Sequence, residues 1–392
     1  MKIDSCIARE IADSRGKPTI EVELRSGDLQ AVAGVPSGKS TGSHEAKELR
    51  DEDGRGVSRA IGRVNNEIAP MLMAKEWQSL WEIDEALVAL DGTQDKSRLG
   101  SNGILGTSMA AARLFAQSEG IELWQYIANI TGYSPAMPRL FSNVLNGGVH
   151  ADMRLPFQEY MLVVGAETAQ QSLDTLRTLF IKLGEELGNV PMGDEGGYSP
   201  TFDTIEKPFD ILSDLIAGDP HVSIAIDAAA SEFYKDGAYQ LLGKTYPCEE
   251  LLAVYKSLTE RYPLTSIEDP FAEDDFDGFA AITAVLGNAH LIVGDDLTVT
   301  NVSRIENAIE GRLANALLVK PNQIGTITET LRAIALVREA GWKIIVSHRS
   351  GETMDTFIAD LAYGVGAYGI KAGGLGQKER LEKYERLLEI EK

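Results

Sequence analysis

Six short apolar segments in the second half of the chain each end at, or next to, an ionisable side chain. The segments are "VSIAID" (222–227), "LTSIED" (264–269), "LIVGDD" (291–296), "ALLVK" (316–320), "KIIVSHRS" (343–350) and "YGIK" (368–371). Their functional ends, in chain order, are Asp227, Glu268, Asp295, Lys320, Arg349 and Lys371. Three carboxylates therefore come first and three cations follow them.

The three carboxylates predict a site for a hard divalent cation. Carboxylate oxygens, with no cysteine or histidine in the set, suit Mg²⁺, which is usually held by a few carboxylates together with water and substrate oxygens. The histidines of the chain form no H-x-x-x-H pair, so the sequence does not suggest zinc. A salt bridge to a neighbouring Lys or Arg is an alternative explanation for any single acid. It is a poor explanation for all three together.

The three cations predict a general base and an anion clamp. Lys320 ends an apolar strand, where burial and neighbouring cations are expected to lower its pKa and favour its use as a base. Arg349 offers a bidentate guanidinium to a phosphate, and Ser350 adds a hydroxyl. Lys371 supplies a further positive charge for an anionic substrate.

The alternation of short apolar runs and helical patterns from about residue 140 onward is typical of βα units. After a first gap of 41 residues, from Asp227 to Glu268, the functional ends follow at intervals of 22 to 29 residues. In a (β/α)₈ barrel the C-terminal ends of the strands converge on one face, which carries the active site. One charged strand end is usually a solvated tip or a helix N-cap, but six in succession favour a shared site.

Two loops add candidate residues. The Gly-rich segment "MGDEGGYSP" (192–200) presents Glu195, a possible proton donor, although such loops also bind calcium or simply turn. The segment "NGGVHADMRLPFQEYM" (146–161) brings His150, Gln158 and Glu159 to the end of another early strand. A base, an acid, a divalent cation and an anion clamp together indicate proton abstraction next to a carboxylate, with a leaving group on the neighbouring carbon.

The first part of the chain has a different pattern. Strands are predicted at 2–11, 19–25 and 30–35, followed by helices at 58–68, 76–88, 102–118 and 122–131. "TGYSPAMP" (131–138) clusters Gly and Pro and predicts a domain boundary. We therefore expect an N-terminal domain over 1–131 and a catalytic domain over 138–392.

The segment "GVPSGKSTG" (34–42) ends like a phosphate-binding P-loop. Only three residues separate Gly34 from Gly38, where the P-loop needs four, and Pro36 removes a backbone N–H donor. The segment is therefore not predicted to bind a nucleotide in that way.

The formal net charge of −22 is spread along the chain and argues against nucleic acid or an anionic membrane as a partner. The N-terminus has no apolar segment typical of a signal peptide, and no run of about 18 apolar residues predicts a membrane span. Cys6 and Cys248 form neither a disulfide framework nor a metal pattern. We expect a cytoplasmic protein without membrane insertion that binds a small anionic ligand.

Long motifs occur in a fixed order along nearly the whole chain. They include "DSRGKPTIEVEL" (13–24), "PSGKSTGSHEAKELRD" (36–51), "NVLNGGVHA" (143–151), "GDEGGYSP" (193–200), "SIEDPFAEDD" (266–275), "GDDLTVTN" (294–301), "KPNQIGTITET" (320–330) and "SHRSGETMDTFIADLAYG" (347–364). Together they resemble the enolase family. The resemblance implies an α/β fold with a modified (β/α)₈ TIM-like barrel and a smaller N-terminal α+β domain. It also implies a homodimer, with a higher oligomer as the alternative.

The resemblance further implies a Mg²⁺-dependent hydro-lyase of glycolysis or gluconeogenesis that reversibly dehydrates 2-phospho-D-glycerate to phosphoenolpyruvate. Two Mg²⁺ ions are implied per site, the second linked to substrate. The implied metal ligands are Asp227, Glu268 and Asp295 for the first ion and Ser40, in the family's mobile lid, for the second. The implied catalytic residues are Lys320 as base, Glu195 as acid, Glu159 in support of the acid and His150 closing over the substrate. The implied substrate contacts are Gln158, Lys320, His348, Arg349, Ser350 and Lys371.

Four positions depart from the family's usual pattern. Lys39 stands in the lid where a small residue is usual, and Met153, Met354 and Ala372 replace an Asn, an acidic residue and a Thr. The segment "GGLGQKER" (373–380) also departs from the family's pattern. Lys39 and this altered segment keep open an alternative, an enolase paralogue resembling carboxyphosphonoenolpyruvate synthase that acts on a phosphonate or another phospho-acid. A non-catalytic binding protein of the same fold is the third hypothesis, which the complete set of metal ligands, base and acid disfavours.

Overall fold

The computed structural model describes residues 1–39, 42–148 and 155–392. The chain begins with an antiparallel sheet of three strands, in the order β1 (Ser5–Ala12), β2 (Pro18–Ser26) and β3 (Leu29–Gly34). Ile20, Val22 and Leu24 alternate along β2 and are fully buried, because this face of the sheet packs against a long helix.

The helices that follow the sheet are α1 (Ser58–Arg63), α2 (Ala69–Met73), α3 (Leu80–Asp91), α4 (Ser101–Glu119) and α5 (Leu123–Thr131), with a π-helical turn over Val64–Ile68 between the first two. Helix α3 begins at Leu80, four residues later than predicted, because the Ser79 side chain accepts a hydrogen bond from the Glu82 N–H and caps it. Helix α4 is the one that packs against the sheet.

The second region begins with β4 (Arg139–Asn146), β5 (Glu159–Val164), α6 (Ala169–Leu187), α7 (Lys207–Ile216) and β6 (Val222–Asp227). A small antiparallel sheet of β7 (Tyr234–Lys235), β8 (Ala238–Leu241) and β9 (Lys244–Tyr246) follows, together with α8 (Cys248–Arg261). This added sheet explains why the first gap between functional ends is longer than the others.

Regular βα alternation occupies the rest of the chain. Its elements are β10 (Leu264–Glu268), α9 (Phe276–Leu286), β11 (Leu291–Gly294), α10 (Val302–Glu310), β12 (Ala316–Val319), α11 (Pro321–Ile324), α12 (Ile327–Glu339), β13 (Lys343–Ser347), α13 (Phe357–Gly364), β14 (Gly369–Lys371) and α14 (Lys378–Glu391). Among the residues described, no helix is both long enough and apolar enough to cross a bilayer.

Eight strands close into a barrel, in the order β10-β11-β12-β13-β14-β4-β5-β6. The predicted modified (β/α)₈ barrel with a smaller N-terminal region is thereby confirmed. The modification is one reversed strand, since β5 runs antiparallel to both β4 and β6 while the other neighbouring strands are parallel. The domain bounds 1–131 and 138–392 remain predictions.

An apolar plug fills the barrel below its functional rim. Its residues are Phe141, Met161, Val163, Ala225, Val293, Ala316, Leu318 and Ile345. Since side chains alternate across a strand, the residue two positions after an inward plug residue also points inward. Ala225, Val293 and Leu318 therefore direct the side chains two positions later toward the barrel mouth.

Candidate active site

The six predicted functional ends lie on one rim of the barrel: Asp227, Glu268, Asp295, Lys320, Arg349 and Lys371. Asp227, Glu268 and Lys371 are the last residues of their strands, and Lys320 directly follows β12. All six except Lys320 are buried, and the Lys320 side chain retains 13% exposure. The barrel therefore brings together the side chains that the sequence singled out.

The Lys371 ammonium is surrounded by carboxylates. Its Nζ lies 2.8 Å from both oxygens of Glu268, 3.1 Å from Glu159 Oε1 and 3.2 Å from Asp227 Oδ2. Burial by itself lowers the pKa of Lys371, but the negative charges of Asp227, Glu159 and Glu268 outweigh it and raise the pKa well above the usual value. Lys371 therefore stays charged in this structure.

The surrounding acids repel one another. Burial, followed by the charge of Asp227, raises the pKa of Glu268 well above its usual value. Burial, followed by the charge of Glu195, does the same to the pKa of Glu159. This side of the rim carries more buried negative charge than Lys371 alone can balance.

The oxygen ligands available on this rim suit a divalent cation. Asp227, Glu268 and Asp295 offer only carboxylate oxygens, the ligands that Mg²⁺ prefers. Two further buried oxygens beside them, Gln158 Oε1 and Glu159 Oε2, have no hydrogen-bond partner among the residues described. An added positive charge would relieve the repulsion that raises the pKa of Glu268.

Lys320 forms a salt bridge with Asp295, whose other carboxylate oxygen accepts a hydrogen bond from Gln323 Nε2 at 2.8 Å. Burial lowers the pKa of Lys320, but the Asp295 charge outweighs it, so the pKa is raised overall. The sequence led us to expect a lowered pKa. Arg349 and Lys371 do lower it, as predicted, but the direct carboxylate contact has the larger effect.

Asp269 positions the segment that carries Asp295. Its two carboxylate oxygens accept hydrogen bonds from the backbone N–H groups of Asp295, at 3.0 Å, and Asp296, at 2.8 Å. Carboxylate oxygens of these three residues lie within 4.8 Å of one another. Burial, followed by the charge of Asp295, raises the pKa of Asp296 to about 8. The metal-ligand candidate Asp295 is therefore fixed through its backbone as well as its side chain.

Glu195 is buried in the loop that was predicted to present it. Its Oε2 accepts a hydrogen bond from Asn143 Nδ2 at 3.2 Å and lies 3.7 Å from Nε2 of His348. Oxygens of Glu195 and Glu159 and a nitrogen of His348 lie within 4.8 Å of one another. The predicted acid therefore shares a pocket with its predicted supporting residue.

The predicted anion clamp is built around Arg349. Its guanidinium holds the Glu45 carboxylate in two hydrogen bonds, 2.8 and 3.0 Å long, and also contacts Asn322 Oδ1 at 3.0 Å. Ser350 Oγ accepts a hydrogen bond from the Lys39 N–H at 2.6 Å. A phosphate that binds Arg349 must therefore compete with Glu45.

Glu159 and Gln158 lie on the rim at the start of β5, and not at the end of a strand as predicted. Glu159 is the first residue of β5, whereas we expected it at the end of a strand. Because β5 is reversed, its N-terminal end lies beside Asn146 and Asp227, which end β4 and β6. Gln158 Nε2 donates to Asp227 Oδ2 at 3.3 Å.

Two predicted site residues, His150 and Ser40, lie outside the residues that the structure describes, as does Met153. Of the other departures from the family pattern, the Lys39 ammonium contacts Asp194 Oδ2 at 2.5 Å. Met354 is 44% exposed at the surface, whereas Ala372 is fully buried directly after Lys371.

Sequence reasoning missed several residues that shape this pocket. Glu45 lies in a quoted motif, but nothing local indicates that it meets Arg349, 304 positions away. Asp269 was visible as the second acid of "SIED", and its role depends on a backbone contact between strands. Arg380 lies in a helix of ordinary amphipathic sequence, yet it is fully buried beside His348.

Comparison with known proteins assigns the chain to a family. A family model described as "Enolase, N-terminal domain" matches residues 3–127, and one described as "Enolase, C-terminal TIM barrel domain" matches residues 134–392. The chain belongs to the enolase family. A relative named enolase from Ehrlichia canis is 44% identical over 406 residues, covering 100% of this chain and 96% of that relative.

Two further relatives have slightly higher identity. Enolases from Thermococcus gammatolerans and Methanopyrus kandleri are each 46% identical, over 100% of this chain and 94% and 95% of their own lengths. The enolase motifs that these matches span include the strand ends described above. The family likeness therefore covers both the N-terminal sheet and the barrel whose rim carries the acids and cations.

Proposed function

We propose that this chain is a hydro-lyase that reversibly dehydrates 2-phospho-D-glycerate to phosphoenolpyruvate. The observation that carries the proposal is the meeting, on one barrel rim, of buried carboxylates on one side with Lys320 and Arg349 on the other. Full-length similarity to enolases supports the same reaction.

In this mechanism Lys320 removes the proton from C2 of the substrate. Glu195 delivers a proton to the hydroxyl on C3, which leaves as water, and Glu159 supports Glu195 from 4.8 Å or less. Lys320 directly follows β12, and Glu195 lies in the loop before α7, so the proposed base and acid come from separate elements.

The substrate's anionic groups are bound by the cations of the rim. Arg349 and Ser350 take the phosphate, after Glu45 yields the guanidinium. Lys371 and Gln158 contact the carboxylate end, His348 lines the pocket, and His150 closes over the substrate.

Asp227, Glu268 and Asp295 would hold one Mg²⁺, and Ser40 would reach a second that is linked to the substrate. When bound, the cation would supply positive charge to balance the negative charge that develops on the substrate carboxylate. The Asp295 charge is the contact that most strongly raises the pKa of Lys320, so Lys320 would be easier to deprotonate with Asp295 otherwise paired. We further propose a cytoplasmic homodimer with its domain boundary between residues 131 and 138.

The paralogue hypothesis has less support. It rested on Lys39 as an added charge for the substrate and on the altered segment 373–380. The Lys39 ammonium contacts Asp194, which weakens the first of these grounds. The relatives compared above are named enolase. The first hypothesis is therefore the better supported one.

A turnover assay tests the proposal. Purified protein with Mg²⁺ is expected to convert 2-phosphoglycerate to a product that absorbs in the near ultraviolet, EDTA to abolish turnover, and added Mg²⁺ to restore it. Asp295→Asn should lose activity, whereas Asp203→Asn, an exposed acid away from the rim, should retain it. Mg²⁺ binding without any turnover of 2-phosphoglycerate would contradict the proposal and favour the paralogue.

A further inference from the structure

Arg380, on α14, is fully buried, and all five N–H donors of its guanidinium have acceptors. Nε donates to Gln377 Oε1 at 2.7 Å. Nη1 contacts His348 Nδ1 and the Arg349 carbonyl, the latter at 3.2 Å. Nη2 donates to the carbonyls of Asp194, at 3.1 Å, and Ser350, at 2.9 Å. One side chain thus joins the helix to both loops that carry the predicted acid and anion clamp.

The contact with His348 fixes where the imidazole carries its proton. A guanidinium donates hydrogen bonds and accepts none, and it stays protonated in proteins. Nδ1 of His348 must therefore present a lone pair to Arg380. In a neutral ring the proton is then on Nε2, the atom that lies 3.7 Å from Glu195 Oε2.

The charges around His348 favour the neutral ring. Burial lowers the pKa of His348 well below its usual value, and Arg380, Lys371 and Lys320 add to this effect, while Glu195 opposes it. A second proton, on Nδ1, would also point directly at the Arg380 guanidinium. Geometry and charge therefore agree on a single protonation state.

We propose that Arg380 is a positioning residue that holds His348 as the neutral Nε2–H tautomer, directed at Glu195. The same guanidinium ties Asp194, next to Glu195, to the Arg349 and Ser350 carbonyls, so that the acid and the anion clamp keep a fixed separation. The assignment of Glu195 as the acid rests on the proposed function, whereas the tautomer is a property of the protein alone.

The tautomer has a consequence for the cluster of Glu159, Glu195 and His348. With Nδ1 occupied by Arg380 and Nε2 protonated, His348 has no lone pair to offer a cation. His348 is therefore not a metal ligand in this cluster, although its ring nitrogen lies within 4.8 Å of oxygens of Glu159 and Glu195.

The first test uses the unmodified protein. In a ¹⁵N spectrum of histidine-labelled protein near pH 7, the His348 signals are identified by their loss in His348→Gln, among the five histidines of the chain. We expect an unprotonated Nδ1 and a protonated Nε2. A protonated Nδ1, in either the other tautomer or the imidazolium form, would overturn the proposal.

The second test compares two buried cations of the same helix. Lys383 is also buried and contacts the Glu352 carboxylate at 2.8 Å, but the structure gives it no contact with His348. Arg380→Met should change the His348 ¹⁵N pattern and lower kcat by on the order of 10²-fold. Lys383→Met should leave the ¹⁵N pattern unchanged, even if it lowers stability.

Two further variants keep the test decisive if Arg380→Met folds poorly. Arg380→Lys retains the charge but not the fork of five donors, and we expect it to alter the His348 ¹⁵N pattern as well. Arg380→Ala should regain part of its kcat when guanidinium is added. An unchanged ¹⁵N pattern in folded Arg380→Lys and Arg380→Ala would refute the role of Arg380. Absence of 2-phosphoglycerate turnover by the unmodified protein would instead count against the proposed function alone.

Discussion

The Nζ of Lys371 lies 2.8 Å from each carboxylate oxygen of Glu268, although the two residues come from opposite sides of the barrel. Strands β14 and β10 are four places apart in a ring of eight. The lysine side chain therefore crosses the mouth and meets the acids there. The cavity lined by Lys371, Asp227 and Glu159 has a volume of about 30 Å³.

Replacing Lys371 with methionine should disable the site. The change leaves Glu159, Asp227 and Glu268 buried together without their ammonium. We expect kcat to fall by about 10²- to 10³-fold, the usual cost of losing one charged group that stabilises a transition state. The free energy of unfolding should also fall, by about 3–5 kcal/mol, since buried acids lose their partner.

Steady-state kinetics and urea denaturation measure both effects. Lys371→Arg, which keeps a positive charge, should lose less stability than Lys371→Met. Activity within tenfold of the unmodified protein in Lys371→Met would show that the ammonium is not needed at the rim.

Lys320 and Glu195 should separate the two proton transfers. Lys320→Ala is expected to abolish exchange of the substrate's C2 proton with deuterated solvent, because Lys320 is the proposed base for that carbon. Glu195→Gln should block dehydration while leaving the exchange measurable by proton NMR. Equal loss of exchange in both variants would show that the two roles are not divided in this way.

The sequence allowed the rim to be predicted because each strand end carries its own local signal. Asp227, Asp295 and Lys320 follow inward plug residues at a spacing of two, and successive parallel strands end on the same side. Neither relation depends on distant parts of the chain. The barrel and its polar mouth could therefore be inferred from local pattern alone.

The orientation of β5 and the partners of the cations could not be inferred in that way. Reversal of β5 depends on its antiparallel pairing with β4 and β6, and apolar periodicity is the same in either direction. The raised pKa of Lys320 depends on the distance to Asp295, which periodicity does not give. Likewise, the burial of Arg380 follows from how α14 packs on the loops.

Lys39 and Asp194 should be energetically coupled. Their salt bridge joins the N-terminal segment to the loop that carries Glu195, and both side chains are more than one-third exposed. We expect a coupling of about 0.2–1 kcal/mol, typical of exposed ion pairs. It should appear as an increase of KM by a few fold in Lys39→Ala.

A double-mutant cycle of Lys39→Ala and Asp194→Ala measures this coupling. The single charge reversals Lys39→Asp and Asp194→Lys should each raise KM, and combining them should bring KM partly back. The coupling should weaken at high ionic strength, because exposed charges are screened. Strictly additive effects on KM would mean that the contact contributes nothing to substrate binding.

Asp84 should make the stability of the protein depend on pH between about 4 and 7. It is buried on α3 and accepts a hydrogen bond from the Thr328 N–H at 2.9 Å, in the first turn of α12. Burial raises the pKa of Asp84 from 3.8 to about 7, although the polar neighbours Ser108 and Thr328 oppose the rise. Its other carboxylate oxygen has no hydrogen-bond partner among the residues described.

The sign of the effect follows from proton binding. Between the unfolded and folded pKa values the folded protein binds the Asp84 proton and the unfolded chain does not, so stability falls as pH rises through this window. Below it both states are protonated, and above it both are ionised. The full change is on the order of 4 kcal/mol, since each pKa unit corresponds to about 1.4 kcal/mol.

Asp84→Asn removes this titration and keeps an oxygen that can accept from Thr328. The unmodified protein should therefore lose stability relative to Asp84→Asn as the pH rises from 4 to 7. Above pH 7 the difference in their unfolding free energies should stay constant. Subtracting the two unfolding free energies removes the contribution of other carboxylates that titrate in the same pH range. The cost of burying the new amide is the same at every pH. A difference that does not change with pH would mean that Asp84 is ionised in the folded protein throughout this range.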